Sequence, residues 1–297
     1  MRGDRPSATA ILIARSILLS SRDESHRRLV APGEAEATAR ILAQRPSAWF
    51  DFALHHGWSR RLLFAAEHRL LAGMFAHYLA RKRWLEETTC QALDRGVQQV
   101  VVLGAGFDTL ACRLHRERPA VHFFELDHPA TQAPKKRALG PAANLTYLPV
   151  DLASDSPAAV LRTCPAFSTN KPTLFIAEGL LMYFPEKRVV ALLRELASLT
   201  RPPGEMLFTF MGQAPDGSIT FRGEHAAVSR WLRWRREPFQ WGITRAALPE
   251  FLRSLGWRVD PVVDHDGLRT RILAPRGLTN LPLARGECLC HCSILSS

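Results

Sequence analysis

The chain has no long uninterrupted apolar segment. Its apolar N-terminal stretch, Ala8 to Leu19, is broken by Arg15, and no small-residue cleavage site follows it. A helix that crosses a bilayer needs about 20 apolar residues, and a secretory leader needs a cleavage site. We therefore expect no membrane partner and a cytoplasmic location.

Long basic blocks are also missing, although the chain carries 39 basic and 28 acidic residues and a net charge of +11. Most of the basic residues are arginines, and they are scattered along the sequence. Nucleic-acid-binding proteins usually show a Lys/Arg cluster or an aromatic RNA-binding motif. Because neither is present, the sequence does not favour a nucleic acid as partner.

Cysteine is sparse, with six residues in 297, but half of them crowd near the C-terminus as Cys288-Leu-Cys290-His291-Cys292. Three thiols and an imidazole can bind a soft metal. Ligands this close together rarely surround one ion without a second pair elsewhere. We therefore expect no metal site and predict that residues 281–297 form a flexible tail.

The remaining chain divides into two regions by pattern. Residues 1–95 show apolar residues at helical spacing and no strand, which predicts an N-terminal helical cap. Residues 96–280 alternate short β-branched or aromatic runs with helical stretches, which is typical of an open, mostly parallel sheet with helices on both faces. Residues 213–245 are too long for a simple connection and are predicted to form an insertion with a helix over the sheet edge.

Seven short segments have the composition of strands. The first four of them are apolar runs that suit strands covered on both faces, a fifth follows, and a pair lies near the end of the region. The predicted strands are Gln99–Leu103, Val121–Leu126, Leu145–Val150, Thr173–Ala177, Glu205–Met211, Trp257–Val263 and Thr270–Leu273.

The first predicted strand runs directly into two glycines in the sequence "QVVVLGAGFDT". Gly104 and Gly106 would let a ligand approach the backbone without a Cβ in the way, and the helix that begins near Thr109 offers free amides. Such a loop alone is a weak signal for a nucleotide site.

Polar residues at the ends of the next strands strengthen that signal. Asp127 ends the second strand at the distance where a carboxylate receives the two ribose hydroxyls in nucleotide-binding sheets. Asp151 ends the third strand, where it can accept from an adenine amine, and Glu178 ends the fourth. Ligands of open α/β sheets bind at these carboxyl ends, so the sequence predicts a nucleoside site there.

Asp108 indicates which nucleoside-containing cofactor binds at this site. A carboxylate in the glycine loop would repel the pyrophosphate of NAD, and the third glycine of the dinucleotide pattern is missing. S-adenosylmethionine has a sulfonium and an ammonium group and no phosphate. The sequence therefore favours S-adenosylmethionine as cofactor, and its carboxylate calls for a basic partner such as Arg81.

The segments from Arg81 to Phe184 resemble the leucine carboxyl methyltransferase family, in particular a bacterial branch associated with polyketide-type O-methylation. The resemblance implies a class I methyltransferase-like Rossmann sheet, mostly parallel with an antiparallel last strand, and a helical cap. The matching segments are "ARKRWLEE", "QVVVLGAGFDTLACRL", "FFELDHPATQAPKKRAL", "LPVDL" and "AEGLLMYFPE".

The resemblance also implies roles for particular residues. Arg81 would hold the methionine carboxylate, Gly104 and the nearby Gly106 would form the cofactor loop, and Asp127 would bind the ribose. The further positions that it implies are Asp151 and Leu152 beside the adenine, Glu178 near the amino-acid end, and Arg15 as a second basic contact.

The expected activity is transfer of a methyl group to a carboxylate or hydroxyl of a small molecule of the secondary-metabolite type. Tyr183 is a candidate substrate contact, or else a packing residue. His128 precedes a helix and suits a capping role. Two alternatives stay open at this point, namely an NAD-dependent oxidoreductase on the same sheet and a non-catalytic binding protein with this fold.

Overall fold

The structure is a computed structural model, and it describes residues 7–223, 225–234 and 237–295. Five helices precede the first strand, and the last of them is the longest helix described, at 21 residues. They are α1 (Ala8–Ser21), α2 (Glu34–Ala43), α3 (Ala48–His55), α4 (Gly57–Leu71) and α5 (Met74–Asp94), with a 3-10 turn at His26–Arg28.

Eight strands form one sheet in the order β3-β2-β1-β4-β5-β8-β7, and β6 pairs with the end of β5. Strands β1 to β5 are parallel, whereas β8 runs antiparallel between β5 and β7. The strands are β1 (Gln99–Leu103), β2 (His122–Asp127), β3 (Leu145–Pro149), β4 (Thr173–Ala177), β5 (Glu205–Gly212), β6 (Gly242–Ile243), β7 (Trp257–Val259) and β8 (Glu287–Ile294). The predicted sheet, mostly parallel with an antiparallel last strand, is confirmed.

The helices that connect the strands cover both faces of this sheet. They are α6 (Leu110–Glu117), α7 (Pro129–Leu139), α8 (Pro157–Thr163), α9 (Glu186–Ala197), α10 (Ala226–Trp234), α11 (Leu248–Arg253) and α12 (His265–Leu268), with a 3-10 turn at Leu181–Tyr183. Because successive side chains of a strand point to opposite faces, Val100 and Val102 pack in one core cluster and Val101 and Leu103 in the other. All five residues of β1 are buried, as expected for a parallel strand between helices.

The segment between β5 and α11 folds back over the carboxyl end of β4. It contains α10, and after α10 the chain returns to the sheet, where Gly242 and Ile243 pair with the end of β5. Trp241 is buried against Phe210 and Phe251, whereas Phe239 packs against Tyr183. The insertion thus contributes both to the core and to the edge where the strands end.

The predicted strand at Thr270–Leu273 is wrong. Residues Arg269–Leu273 form a π-helical turn that continues α12, followed by a 3-10 turn at Ala274–Arg276. Leu268, Ile272 and Leu273 are buried in the cluster that includes helix α5. These residues are spaced as on one face of a helix. The sequence prediction was wrong because a short window with two adjacent apolar residues does not distinguish a strand from a buried helical turn.

The predicted flexible tail is also wrong. Residues 287–294 form β8, which pairs with β5 over seven residue pairs and with β7 over three. Cys288, Cys290 and Cys292 lie on one face of β8 and are buried in the core, where they pack as small apolar side chains. His291 lies on the other face, 2.7 Å from Glu205.

In the described residues, the helices are too short or too polar to pass through a lipid bilayer.

Candidate active site

A cavity of about 250 Å³ opens at the carboxyl ends of β1, β2 and β4, beneath helix α1. This is where ligands of open α/β sheets bind, because the strand order reverses between β1 and β4. The cavity brings together eight of the nine residues that the sequence predicts for the site, namely Arg81, Gly104, Gly106, Asp127, Asp151, Leu152, Glu178 and Tyr183.

Arg15 is the exception. Its neighbours Ala14 and Ile17 line the cavity, but the Arg15 guanidinium lies 5.0 Å from the ring centre of Phe50 in the helical cap. Residues one position apart on a helix point about 100° apart, so Ala14 faces the cavity while Arg15 faces α3. The structure therefore does not support Arg15 as a second basic contact.

The glycine loop adopts a backbone that only glycine tolerates easily. Gly104 has a φ of 62° and Gly106 a φ of 50°, both in the left-handed region. A Cβ on Gly104 would lie 2.7 Å from Cδ1 of Leu180. The loop is fastened to β2, since Gly104 N–H donates to the Leu126 carbonyl at 2.7 Å.

Asp127 joins this loop to the end of β2. Its Oδ2 accepts from Gly106 N–H at 2.8 Å, and its Oδ1 accepts from His128 N–H at 2.7 Å. The residue is 5% exposed, and its pKa is raised because burial penalises the charged form more than these bonds favour it. Each carboxylate oxygen has a second acceptor site, so Asp127 can receive two further donors from the cavity.

His128 acts as the N-cap of α7, because its Nδ1 accepts from Ala130 N–H at 3.2 Å. Asp151 and Leu152 follow β3 at the opposite rim. Asp151 is partly exposed and accepts from Ala153 N–H at 3.0 Å, whereas Leu152 is buried. Together they form a wall with one carboxylate and one apolar side chain, which suits the edge and the face of a purine.

Arg81 lies between two carboxylates on the other side of the cavity. Its Nε donates to Glu178 at 2.9 Å, and its Nη1 donates to both carboxylate oxygens of Glu287 at 2.9 Å. Arginine has five N–H donors, and one hydrogen on Nη2 remains after Nη2 contacts Glu178 at 2.7 Å. Arg81 can therefore hold a ligand carboxylate while keeping both ion pairs.

Glu287 is the centre of a second set of contacts behind Arg81. His77 Nε2 lies 2.8 Å from Glu287 Oε2, and both side chains are fully buried. Burial alone would raise the pKa of Glu287, but Arg81 and the bond to His77 lower it to about 2. The carboxylate is thus charged in the folded protein and holds Arg81 in place.

Lys82 contributes a second cation, which the sequence interpretation missed. Its Nζ lies 2.8 Å from Asp108 and 3.1 Å from Glu178. Burial alone would lower the Lys82 pKa, but Asp108 and Glu178 raise it above the usual range. In this group of five side chains, two cations face three carboxylates, which leaves one net negative charge at this end of the cavity.

Tyr183 lies where the insertion crosses the end of β4. The backbone N–H of Gln240 donates to the Met182 carbonyl at 2.7 Å, and Gln240 Nε2 donates to the Tyr183 carbonyl at 2.6 Å. Burial raises the pKa of the Tyr183 hydroxyl. The hydroxyl is therefore neutral at physiological pH and can act as a hydrogen-bond donor in the cavity.

The sheet order, the glycine loop and the carboxylates at the strand ends define an α/β protein of the class I methyltransferase type. The family model "Leucine carboxyl methyltransferase" matches residues 20–197, more than half of the chain. The chain belongs to the leucine carboxyl methyltransferase family, which confirms the resemblance seen in the sequence.

Two mycobacterial relatives agree with this assignment, and each is named "Putative S-adenosyl-L-methionine-dependent methyltransferase". The Mycolicibacterium smegmatis protein is 32% identical over 201 residues, covering 63% of this chain and 64% of the relative. The Mycobacterium tuberculosis protein is 28% identical over 214 residues, covering 60% and 65%. The chain thus matches less than two thirds of the length of these relatives.

A solved structure shows the same fold. It is a "putative methyltransferase" from Thermobifida fusca. The alignment covers 99% of this chain and 96% of the Thermobifida fusca chain, with a TM-score of 0.60 and 12% sequence identity.

Four further residues of the site were not predicted from the sequence. Lys82 directly follows Arg81 in the sequence "ARKRW", so the sequence alone could have indicated that Lys82 lies on the same helix. Glu287 was missed because residues 281–297 were predicted to form a flexible tail. Thr9 and Glu237 come from distant segments that only the folded chain brings together, 228 positions apart.

Proposed function

We propose that this protein is an S-adenosylmethionine-dependent O-methyltransferase that acts on a carboxylate or hydroxyl of a small molecule of the secondary-metabolite type. The proposal includes a cytoplasmic location. Family membership and the names of the relatives support the cofactor and methyl transfer. The observation that carries the proposal is one cavity with a buried carboxylate at the end of β2 and a carboxylate-held arginine opposite.

The residues of the cavity fit the parts of S-adenosylmethionine. Asp127 has acceptor sites for both ribose hydroxyls, and Asp151 and Leu152 offer an acceptor and an apolar contact for the adenine. Arg81 retains a donor for the amino-acid carboxylate, while Glu178 can accept from the ammonium group. Arg81 and Lys82 together with the carboxylates of Asp108, Glu178 and Glu287 carry one net negative charge, which complements the net positive charge of the cofactor.

S-adenosylmethionine, when bound, supplies a methyl group that its sulfonium already activates for in-line displacement by an oxygen nucleophile. The protein then has to orient the reactants and exclude water. Orientation can contribute about 7–11 kcal/mol to lowering the barrier. In this chain Gly104 lets the loop approach the cofactor closely, and α1 covers the cavity.

Glu178 also has a restraining role. It is engaged by Arg81 at 2.7 Å and by Lys82 at 3.1 Å, so its charge is shared between two cations. A carboxylate held in this way does not pair tightly with the sulfonium. With S-adenosylmethionine bound, this arrangement would avoid stabilising the ground state more than the transition state.

Thermal melting with two cofactors tests the proposal. S-adenosylhomocysteine should raise the melting temperature by mass action, since it binds only the folded protein, whereas NAD should leave it unchanged. Incubation with labelled S-adenosylmethionine and an extract of the cells that carry the gene should then give a labelled small molecule. Stabilisation by NAD alone would contradict the proposal, and so would an extract in which nothing acquires label.

A further inference from the structure

The wall of the cavity opposite the strand ends comes from two segments that carry no predicted cofactor contact. Helix α1 contributes Thr9 and Ile13, and the segment after α10 contributes Glu237, Pro238 and Gln240. Tyr183 lies between this wall and the strand ends. A methyl acceptor that enters beside the cofactor has to lie against these groups, so their chemistry decides what it can be.

Glu237 is the charged group of this wall. Its Oε2 accepts from the Thr9 hydroxyl at 2.5 Å and from Thr9 N–H at 3.3 Å. Both contacts link the insertion to the first turn of α1 and fix the carboxylate over the cavity. In the described part of the chain these hydrogen bonds use Oε2, which leaves Oε1 for a donor on a ligand.

The cations described in the cavity, Arg81 and Lys82, are already paired and do not balance an acidic acceptor. Arg81 and Lys82 are each bound by two carboxylates at 3.1 Å or less. Among the described residues from α1 and 237–240 that line the cavity, neither arginine nor lysine is present. A carboxylate acceptor would therefore place a second anion near Glu237 with no cation among the described residues of this wall to pair it, which is costly in a partly desolvated site. A hydroxyl would instead donate a hydrogen bond to Glu237.

From this wall we infer that the methyl acceptor is a hydroxyl group rather than a carboxylate, and that Glu237 is its general base. The inference rests on the proposed function and narrows its substrate class. Thr9 is a positioning residue that orients Glu237, and the neutral Tyr183 hydroxyl is a second group that the acceptor can contact.

The step balances with these groups alone. The acceptor oxygen forms a bond to the methyl carbon, and the carbon–sulfur bond breaks with its electron pair remaining on sulfur. The hydroxyl proton passes to the Glu237 carboxylate. A sulfonium cation, a neutral hydroxyl and a carboxylate anion thus give a neutral thioether, an ether and a neutral acid. A carboxylate acceptor would need no base, because it is already an anion at neutral pH.

The first test identifies the bond that carries the label. The enzyme is incubated with S-adenosylmethionine that is ¹³C-labelled at the methyl group and an extract of the cells that carry the gene, and the product is analysed by NMR and by mild alkaline hydrolysis. We expect a methyl ether that survives the alkali. A methyl ester, which releases methanol, or an N-methyl group would overturn the inference but leave methyl transfer intact. An unlabelled extract would overturn the proposed function itself.

The second test assigns the base with the labelled acceptor from the first. Glu237→Gln should lower kcat by about 10²–10⁴-fold, the usual contribution of a general base, while the Kd of S-adenosylhomocysteine measured by titration calorimetry stays within twofold. Thr9→Val should lower kcat less. The matched control is Glu250→Gln, on the exposed side of α11. If Glu237→Gln binds S-adenosylhomocysteine normally and keeps kcat within threefold of the control, Glu237 is not the base.

Discussion

The carboxylate of Glu287 lies 2.9 Å from Nη1 of Arg81, so the last strand of the sheet holds a residue 206 positions earlier in the chain. This contact fixes the orientation of the Arg81 guanidinium in the cavity. It also explains why β8 belongs to the site as well as to the core. A change in β8 should therefore affect both stability and cofactor binding.

Glu287→Gln should destabilise the protein by about 3 kcal/mol, because it breaks a buried ion pair and leaves Arg81 partly uncompensated. It should also weaken binding of S-adenosylhomocysteine, since Arg81 loses its anchor. Urea unfolding and calorimetric titration measure the two effects, with Glu117→Gln on the exposed end of α6 as control. Equal stability of the two variants would contradict the role given to this pair.

The ion pair between Glu287 and Arg81 also predicts how the contribution of Glu287 to stability depends on pH. The pKa of Glu287 is about 2 in the folded protein, against 4.5 as its ordinary value. A lowered carboxyl pKa stabilises the folded state above the unfolded value, and this gain is lost as the pH falls through the folded pKa. The stability difference between the wild-type protein and Glu287→Gln should thus be constant above about pH 5 and shrink between pH 4.5 and 2. A difference that grows on acidification would contradict this assignment.

Gly104→Ala should weaken binding of S-adenosylhomocysteine and destabilise the fold. The substitution places a residue with a Cβ in the left-handed region of φ, which costs about 1–2 kcal/mol. The added Cβ would also lie 2.7 Å from Cδ1 of Leu180. Gly140→Ala is the matched control, because Gly140 also has a positive φ, of 81°, but no atom lies within 4 Å of the added Cβ. Melting and titration should show a strain cost for both variants and a loss of binding for Gly104→Ala alone.

Asp127→Asn should reduce the affinity for S-adenosylhomocysteine at least tenfold, because hydrogen bonds to a charged group contribute about 1.5–3 kcal/mol. The amide also disrupts one of the two backbone bonds, since its NH₂ group cannot accept from Gly106 or His128. Asp216→Asn, at an exposed residue in the loop after β5, is the control. Unchanged affinity in Asp127→Asn would show that the ribose binds elsewhere.

The thiols of β8 should resist modification in the folded protein. Cys288, Cys290 and Cys292 are buried, and burial raises the pKa of Cys288 to about 12, so almost no thiolate forms at neutral pH. A thiol reagent should label the partly exposed Cys90, Cys112 and Cys164 first and the three β8 cysteines only after unfolding. A chelator should leave the melting temperature unchanged. Rapid labelling of β8 would show that this strand opens readily.

Much of the fold follows from local patterns in the sequence. Five parallel strands were predictable because each is a short apolar run with a glycine or a carboxylate at its end or within the next two residues. Strand β8 was not, since "ECLCHCSI" alternates cysteine with other residues and resembles a metal motif. Only its pairing with β5 and β7, which depends on residues far away in the sequence, makes it a buried strand.

The site was predictable to a similar extent. The glycine loop, Asp127, Asp151 and Glu178 follow from the rule that ligands bind at the carboxyl ends of parallel strands. Arg15 was misplaced because the sequence does not reveal which face of α1 meets the cavity. Glu237 and Thr9 were missed because a contact between distant segments leaves no local pattern.

A crystal structure of the complex with S-adenosylhomocysteine would show directly whether Asp127 and Arg81 bind the cofactor. We expect electron density across the ends of β1, β2 and β4, with the ribose hydroxyls within hydrogen-bond distance of Asp127 and the amino-acid carboxylate on Arg81. Density for the ligand at another surface, or a ligand in this cavity with Asp127 and Arg81 turned away from it, would show that these residues do not form the cofactor site.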